Sequence, residues 1–302
     1  MSPKEPQFKS GFVSIIGRPN VGKSTMMNSL VGQKVAIVSN KAQTTRNKIR
    51  GILSQESCQI IFIDTPGIHT PKNKLGNVMV KAARSSIGDS DIALHIVEPT
   101  PNIHPADAEI IEGLRRKAST AILVINKIDK VRKEELLGII AAYSSEMDYA
   151  EHIPISAING LGLSTLIEQI LARLPEGPKF FHDDIITDQP ERQVCAEIIR
   201  EKLLHLLEDE IPHGIAVEIT AFRPREDKDI IDIEANVVCE RDSHKGMVIG
   251  KGGAVLKEAG KLARTDIEHL VGQQVFLRLW VKVRKGWRDS DAFIKSYGFR
   301  EH

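Results

Sequence analysis

Cysteine is scarce in this sequence. Cys58, Cys195 and Cys239 are scattered and odd in number, with no CxxC pair. That excludes a disulfide framework and a cysteine zinc site, and it fits a reducing compartment. Long apolar runs are missing too. No stretch of 18 apolar residues occurs, and Met1 to Gly11 has no apolar core of signal-peptide length, so a soluble chain inside the cell, without a transmembrane segment, is expected. Net charge is nearly absent, with 41 Lys/Arg against 40 Asp/Glu. Its distribution is uneven: residues 1–180 carry 22 basic and 17 acidic side chains, 181–240 carry 6 and 16, and 241–302 carry 13 and 7. An acidic block followed by a basic one predicts a C-terminal domain with faces of opposite sign, the basic one suited to a polyanion.

What is present is alternation. Over the first 175 residues, Phe12–Ile16, Ile60–Ile63, Ile92–Val97, Ala121–Ile125 and Ile153–Ile155 read as buried strands. Ser24–Leu30, Pro105–Lys117, Lys133–Tyr143 and Leu163–Leu174 carry apolar residues three and four apart and read as helices. This predicts an α/β domain over 1–175, a mainly parallel sheet with helices on both faces and its ligands at the carboxyl ends of the strands. Pro175-Glu-Gly-Pro178 and the acidic stretch behind it predict a linker over 176–191. From 192 to 302 the pattern changes to a helix (Arg192–Leu207), two strands (Ile215–Phe222, Ile230–Cys239) and a short helix ending near Ile249. A longer helix (Ala254–Leu270) and an alternating strand (Gln274–Val283) complete a smaller α+β domain in the type II KH order.

Gly17-Arg-Pro-Asn-Val-Gly22-Lys23-Ser24 fits the P-loop pattern GxxxxGK[ST], with a strand before it and a helix after it. Backbone N–H groups from Gly17 through Asn20, Val21 and Gly22 to Thr25 would converge on phosphate oxygens, helped by the positive end of the helix. Lys23 would reach the β- and γ-phosphates and Ser24 would ligate Mg2+. Asp64-Thr-Pro-Gly67 closes a strand; Asp64 is placed to hold Mg2+ through water, and Gly67 to offer the γ-phosphate an N–H whose partner disappears on hydrolysis. Asn126-Lys-Ile-Asp129 closes another. The Asp129 carboxylate accepts from the two N–H donors on one edge of guanine, an edge adenine does not have, so the base is guanine. Lys127 would pack along the base, Asn126 would tie loops together, and Ser156-Ala157 would give a backbone N–H to the guanine carbonyl. In the polar stretch from Ser39 to Lys48 lies Gln43-Thr-Thr-Arg46, where a threonine hydroxyl would complete the Mg2+ shell only beside a γ-phosphate, Thr45 before Thr44. Lys23, Thr45, Gly67 and Asn20 form the expected catalytic set. Ile68 stands where Ras-like switches carry the Gln that orients water, so slow intrinsic turnover is expected. Asn20 either helps hold an activating monovalent cation, K+, or is a turn residue that tolerates unusual dihedrals.

Val248-Ile-Gly250-Lys-Gly-Gly253 places GxxG between two helices inside the basic block. In a KH domain that loop clamps about four nucleotides of a single strand. Gly250, Gly252 and Gly253 allow a phosphate backbone to approach, Lys251 adds charge, and Lys245, Lys257 and Lys261 lie close by. Arg278, Lys282, Arg284, Lys285 and Arg288, interleaved with Trp280 and Trp287, either extend this basic face with stacking groups or leave the tryptophans to packing.

These motifs, followed by a KH domain, resemble the Era family of bacterial ribosome-assembly GTPases over nearly the whole chain. The joining of one nucleotide domain to a C-terminal KH domain is the specific part; Der-type GTPases are similar but carry two nucleotide domains in tandem. The resemblance implies a GTPase cycling between GTP and GDP with Mg2+. It also implies a KH domain on the 3′ end of small-subunit ribosomal RNA during late maturation of the 30S subunit, with GTP favouring the RNA-competent state. A cytoplasmic protein in loose peripheral contact with the inner membrane follows from the same resemblance, and a monomer is expected. The competing reading is a signalling GTPase whose C-terminal domain binds a protein.

Overall fold

A computed structural model of the chain describes residues 8–299 except 42–43, 69, 87, 89, 118–119, 209–210 and 227, so Gln43 lies outside the described residues. β1 (Lys9–Ile16) leads through a glycine loop into α1 (Lys23–Val31), and β2 (Ile49–Gln55), β3 (Cys58–Asp64), α2 (Lys74–Ser86) and β4 (Ile92–Val97) follow. α3 (Pro105–Lys117), β5 (Thr120–Ile125), α4 (Lys133–Glu146), β6 (Glu151–Pro154) and α5 (Leu163–Arg173) complete this half. The six-stranded sheet has the order β2-β3-β1-β4-β5-β6 and is parallel apart from β2, which pairs antiparallel with β3. Along β5 the pleat sends Ile122 and Val124 to one face, against Met26 of α1 and Ile170 of α5. Ala121, Leu123 and Ile125 go to the other, against Leu114 of α3 and Ile139 of α4. Strands buried on both faces are apolar throughout, which confines the polar motifs to their ends.

The stretch after α5 is bound rather than free. The Ser10 amide donates to Pro175 O, the Phe180 and Phe181 amides to Gln59 Oε1, and the Ile52 amide to Ile186 O, while Arg50 pairs with Asp188 at 2.5 Å. This strap climbs the β2 edge of the sheet and delivers α6 (Glu191–Leu206) to the nucleotide end. β7 (Ala216–Pro224), β8 (Ile230–Cys239), α7 (Asp242–Ile249), α8 (Ala254–Val271) and β9 (Gln274–Val283) follow in the expected order, with α9 (Asp291–Ser296) added behind them. β8 lies antiparallel to β7 and parallel to β9. Ile198 and Leu203 of α6, Ile233 and Val237 of β8, and Ala263 and Ile267 of α8 fill the core of this second half. Leu75 and Met79 of α2 pack with Ala216, Trp287, Ile294 and Phe299, so the two halves share a buried apolar contact. No helix among the described residues is long and apolar enough to cross a membrane.

Candidate functional site

The loop between β1 and α1 is shaped by its own neighbours. A Cβ on Gly17 would come within 2.5 Å of Ile96 O, and one on Gly22 within 2.3 Å of Asn126 Nδ2. Gly22 has φ 100° and Asn20 φ 66°, both left-handed. Lys23 is buried, and its Nζ donates to Gly17 O and Arg18 O, each at 3.0 Å. Burial lowers its pKa to about 8 against the opposing pull of Asp64 and Asp107. The loop carbonyls therefore hold the ammonium at the mouth of the nest, where it is ready for an anion.

Three hard oxygens meet beside it. Ser24 Oγ donates to Asp64 Oδ2 at 2.6 Å and lies 2.9 Å from Thr45 Oγ1, which is 3.2 Å from the same carboxylate oxygen. Neighbouring ligands of an octahedral Mg2+ lie about 3 Å apart, and oxygen donors suit that ion. Asp64 Oδ1 is buried with no hydrogen bond, and burial raises the pKa of the group despite Lys23, Ser24 and Thr45. A buried carboxylate with an orphaned oxygen and two hydroxyls fit the divalent ion that the sequence implies, while the nearby ammonium fits an anion bound beside that ion. Of the two candidate threonines, Thr45 is in this cluster, whereas Thr44 Oγ1 turns back to Lys41 O at 2.6 Å. Gly67 lies against the phosphate loop, where a Cβ would meet Pro19 N at 2.8 Å. Ile68 is buried in the core between the sheet and α3, turned away from the site.

At the end of β5 Asn126 ties loops together, donating to Val21 O at 2.8 Å and accepting from the Ala157 amide at 3.0 Å. Ser156 Oγ donates to Asp129 Oδ1 at 2.6 Å, and this bond lowers the Asp129 pKa. The Ser156 amide donates to Leu161 O and the Ala157 amide to Asn126 Oδ1. A guanine carbonyl taking either N–H would share it with these acceptors or exchange for them, which the dipeptide pattern alone does not reveal. Lys127, in left-handed conformation at φ 67°, reaches Asn20 O at 2.7 Å and pairs with Glu98, which also pairs with Arg18 at 3.0 Å. Glu98 was not singled out by the sequence; its place one residue beyond β4 was the available signal. A cleft of about 450 Å3 opens between Asn20, Lys23, Val38, Thr45, Gly67 and Lys127.

The GxxG loop sits between α7 and α8. Gly250 is crowded, since a Cβ would meet Val255 Cγ2 at 2.5 Å, whereas Gly252 and Gly253 have left-handed φ of 60° and 81° and no atom within 4 Å of a Cβ. Lys245, Lys251 and Lys257 are exposed around it, and a groove of about 860 Å3 runs on between Lys257, Lys261, Arg264 and Phe276. The further basic face is weaker than expected. Arg278 pairs with Glu234 at 3.2 Å, Lys285 with Asp242 at 3.6 Å and Arg288 with Glu240, because acidic neighbours on β8, on α7 and in the turn between them lie beside them. Trp287 is a core residue donating to Gly214 O at 3.0 Å, and Trp280 alone of the pair is exposed, at 55%.

The contact between the halves was not visible in the sequence. Glu201 of α6 accepts from the Val38 amide at 2.9 Å and from Lys34 Nζ at 2.5 Å. Burial by itself would raise its pKa, but Lys34 and that amide together hold it below the ordinary value. Arg200 of α6 donates to Thr44 O, and Arg46 donates to Ile215 O and His213 O. Buried charges in a polar loop and on an amphipathic helix were the only available signal.

Comparison with known proteins agrees with this layout. Residues 12–127 match the family model described as 50S ribosome-binding GTPase, and residues 210–288 match that of the KH domain. GTPase Era of Clostridioides difficile (strain 630) is 55% identical over 97% of this chain and 99% of its own length. GTPase Era of Alkaliphilus metalliredigens (strain QYMF) is 53% identical over 97% and 99%. The crystal structure of Era in complex with MgGDPNP and nucleotides 1506–1542 of 16S ribosomal RNA aligns at a TM-score of 0.94 and 40% identity, covering 97% of this chain and 99% of that one. An Aquifex aeolicus Era variant bound to GDP and AlF4− aligns equally, with the same TM-score, identity and coverage.

Proposed function

We propose a function on one premise: this chain belongs to the GTPase Era family. It is a GTPase with a C-terminal KH domain, and we read it as a switch in which GTP controls RNA binding. In this reading Lys23 and the backbone from Gly17 to Thr25 hold the phosphates, Ser24, Thr45 and Asp64 serve Mg2+, and Asp129 selects guanine, braced by Ser156. Bound Mg2+ would neutralise charge on the β- and γ-phosphates. Lys23 exchanges the carbonyls of Gly17 and Arg18 for phosphate oxygens, and Gly67 offers its amide to the γ-phosphate. With Ile68 committed to the core, no side chain there orients water and intrinsic turnover is slow; K+ beside Asn20 would supply what Ile68 does not.

The KH half then clamps a single strand at Gly250 to Gly253, with Lys245, Lys251 and Lys257 on its phosphates. The solved Era complex with 16S ribosomal RNA supports the 3′ end of the small-subunit RNA as ligand, and hence a role in late 30S maturation. Any membrane contact is peripheral in this reading. The observation that carries the switch is the sensor loop itself. Thr45 faces Ser24 and Asp64 while Val38 and Thr44 are held by Glu201 and Arg200 of the second half.

The test is a salt titration of a short single-stranded ribosomal RNA 3′ end against wild type and Gly252→Asp, with a GTP analogue bound. The variant should lose RNA affinity and keep nucleotide affinity. For every phosphate the variant no longer neutralises, the salt dependence should flatten by about 0.7 log units per log salt. Equal affinity and slope would reduce the GxxG loop to a turn and leave a protein-binding C-terminal half as the better reading.

A further inference from the structure

One buried charge belongs to neither ligand site. Arg46 follows Thr45 in the sensor loop and is buried in the second half of the molecule. Its Nη1 donates to Ile215 O at 2.6 Å and its Nη2 to His213 O at 2.9 Å, and the guanidinium lies 5.8 Å from the ring centres of both Trp287 and Phe299. The carbonyl between those two, that of Gly214, takes the indole N–H of Trp287 at 3.0 Å. Three consecutive carbonyls before β7 are thus taken up by one arginine from the first half and one tryptophan from the second.

The two Nη–carbonyl bonds and the two ring contacts are what offset the burial of this guanidinium, so partial withdrawal, which would leave the charge buried without them, is disfavoured. Arg46 is therefore seated or out, and Thr45, one residue away and tethered at about 3.8 Å between Cα atoms, shares its position. Thr44, on the other side of Thr45, is held at its carbonyl by Arg200. Beyond the socket, Gly214 faces Glu240 and His244, each 3.7 Å from where its Cβ would stand, and α7 runs from there to Gly250. The socket thus adjoins the start of the helix whose end opens the GxxG loop.

We infer that Arg46 is the positioning residue through which the second half sets Thr45, so that Mg·GTP at Ser24 and Thr45 and RNA at the GxxG loop favour the same seating of one side chain. The inference rests on the switch reading above. It requires a coupling that acts on the GTP state alone, because the sensor threonine reaches the metal only when a γ-phosphate is present. Binding couplings of this kind are reciprocal and amount to about 5–150-fold.

Arg46→Met keeps the length and the apolar contact with the two rings while removing both carbonyl bonds. Arg46→Lys keeps the charge and can reach one carbonyl. Affinities for Mg·GDP and for a Mg·GTP analogue are measured on the full chain, each with and without the single-stranded RNA 3′ end. For Arg46→Met the expected result is GDP affinity within about twofold of wild type, analogue affinity lowered about tenfold, and an RNA effect on analogue affinity of less than about twofold. Arg46→Lys should recover part of the coupling, which a residue needed only for folding would not do. Loss of GDP and analogue affinity in parallel, or full coupling in Arg46→Met, overturns the inference. Should Arg46→Met fail to fold, wild-type coupling in Arg46→Lys overturns it instead. A wild-type chain with no RNA effect on analogue affinity would overturn the switch reading and this inference together.

Discussion

Two glycine loops in this molecule each end in a left-handed glycine at the start of a helix, Gly22 before α1 and Gly253 before α8. They are built on opposite terms. In the first, the protein's own atoms demand glycine: Ile96 O lies 2.5 Å from a hypothetical Cβ on Gly17 and Asn126 Nδ2 2.3 Å from one on Gly22, closer than any side chain allows. In the second, Gly252 and Gly253 stand in open space and only their backbone angles resist a side chain. The lysines differ in the same sense, Lys23 buried under its loop and Lys251 exposed. The first loop is a nest finished before its ligand arrives. The second is open at two of its three glycines, so packing within the fold demands Gly250 but neither Gly252 nor Gly253.

Substitution should separate the two. Gly22→Ala forces a Cβ onto Asn126, whose amide holds Val21 O. It should cost about 2 kcal/mol of stability or more, from left-handed strain plus the clash, and lower GDP affinity by about 100-fold, since two loops are displaced. Urea unfolding and a GDP titration read both. Gly252→Ala should cost only about 1 kcal/mol, the left-handed backbone penalty alone. Its nucleotide affinity should match wild type, with RNA affinity reduced by less than in Gly252→Asp. Equal destabilisation by the two alanines would erase the distinction.

Much of the layout was legible because both-face burial leaves a strong signature. β4 reads off its apolar run to the residue, and β9, only partly buried, reads off its alternation equally well. β2 did not, because Ile-Arg-Gly-Ile-Leu-Ser-Gln neither alternates nor stays apolar, and it exists through the edge that β3 offers. α2 carries a helical stripe at Leu75, Met79, Ala82 and Ala83, but Gly76 and Asn77 interrupt it and its apolar face packs partly on the second half. The phosphate loop, Asp64 and Asp129 carry a sequence signal because the chemistry expected of them asks for particular residues at fixed spacings. Arg46, Arg200 and Glu201 do not. The partners they take across the two halves are more than 150 residues away, and a long-range pairing has no period. The strap after α5 reads as a free linker because Pro, Gly and acidic residues dominate it. Its Phe180-Phe181 pair, with Phe180 packed 5.1 Å from the Phe12 ring centre, is the sign that it binds the sheet.

The smallest effect sharpens the comparison furthest, since a buried lysine responds to pH where an exposed one answers mainly to salt. Burial lowers the Lys23 pKa to about 8 in the free protein, while a phosphate beside it favours the ammonium. Below pH 8 the lysine is already charged and GTP affinity should be flat. Above it, binding must take up a proton, so affinity should fall by about tenfold per pH unit. Stability of the nucleotide-free protein runs the other way. Between pH 8 and the ordinary lysine value of about 10.4 the unfolded chain holds a proton that the folded chain has released, so the contribution of Lys23 to stability rises with pH. Calorimetry of GTP binding from pH 7 to 9, in buffers of different ionisation enthalpy, measures the uptake directly. In Lys23→Arg, where the guanidinium stays charged throughout, any residual slope belongs to other groups, including the nucleotide, and can be subtracted. A wild-type slope no steeper than that of Lys23→Arg would mean that Lys23 is charged before GTP arrives, and the nest would then be no drier than the GxxG surface.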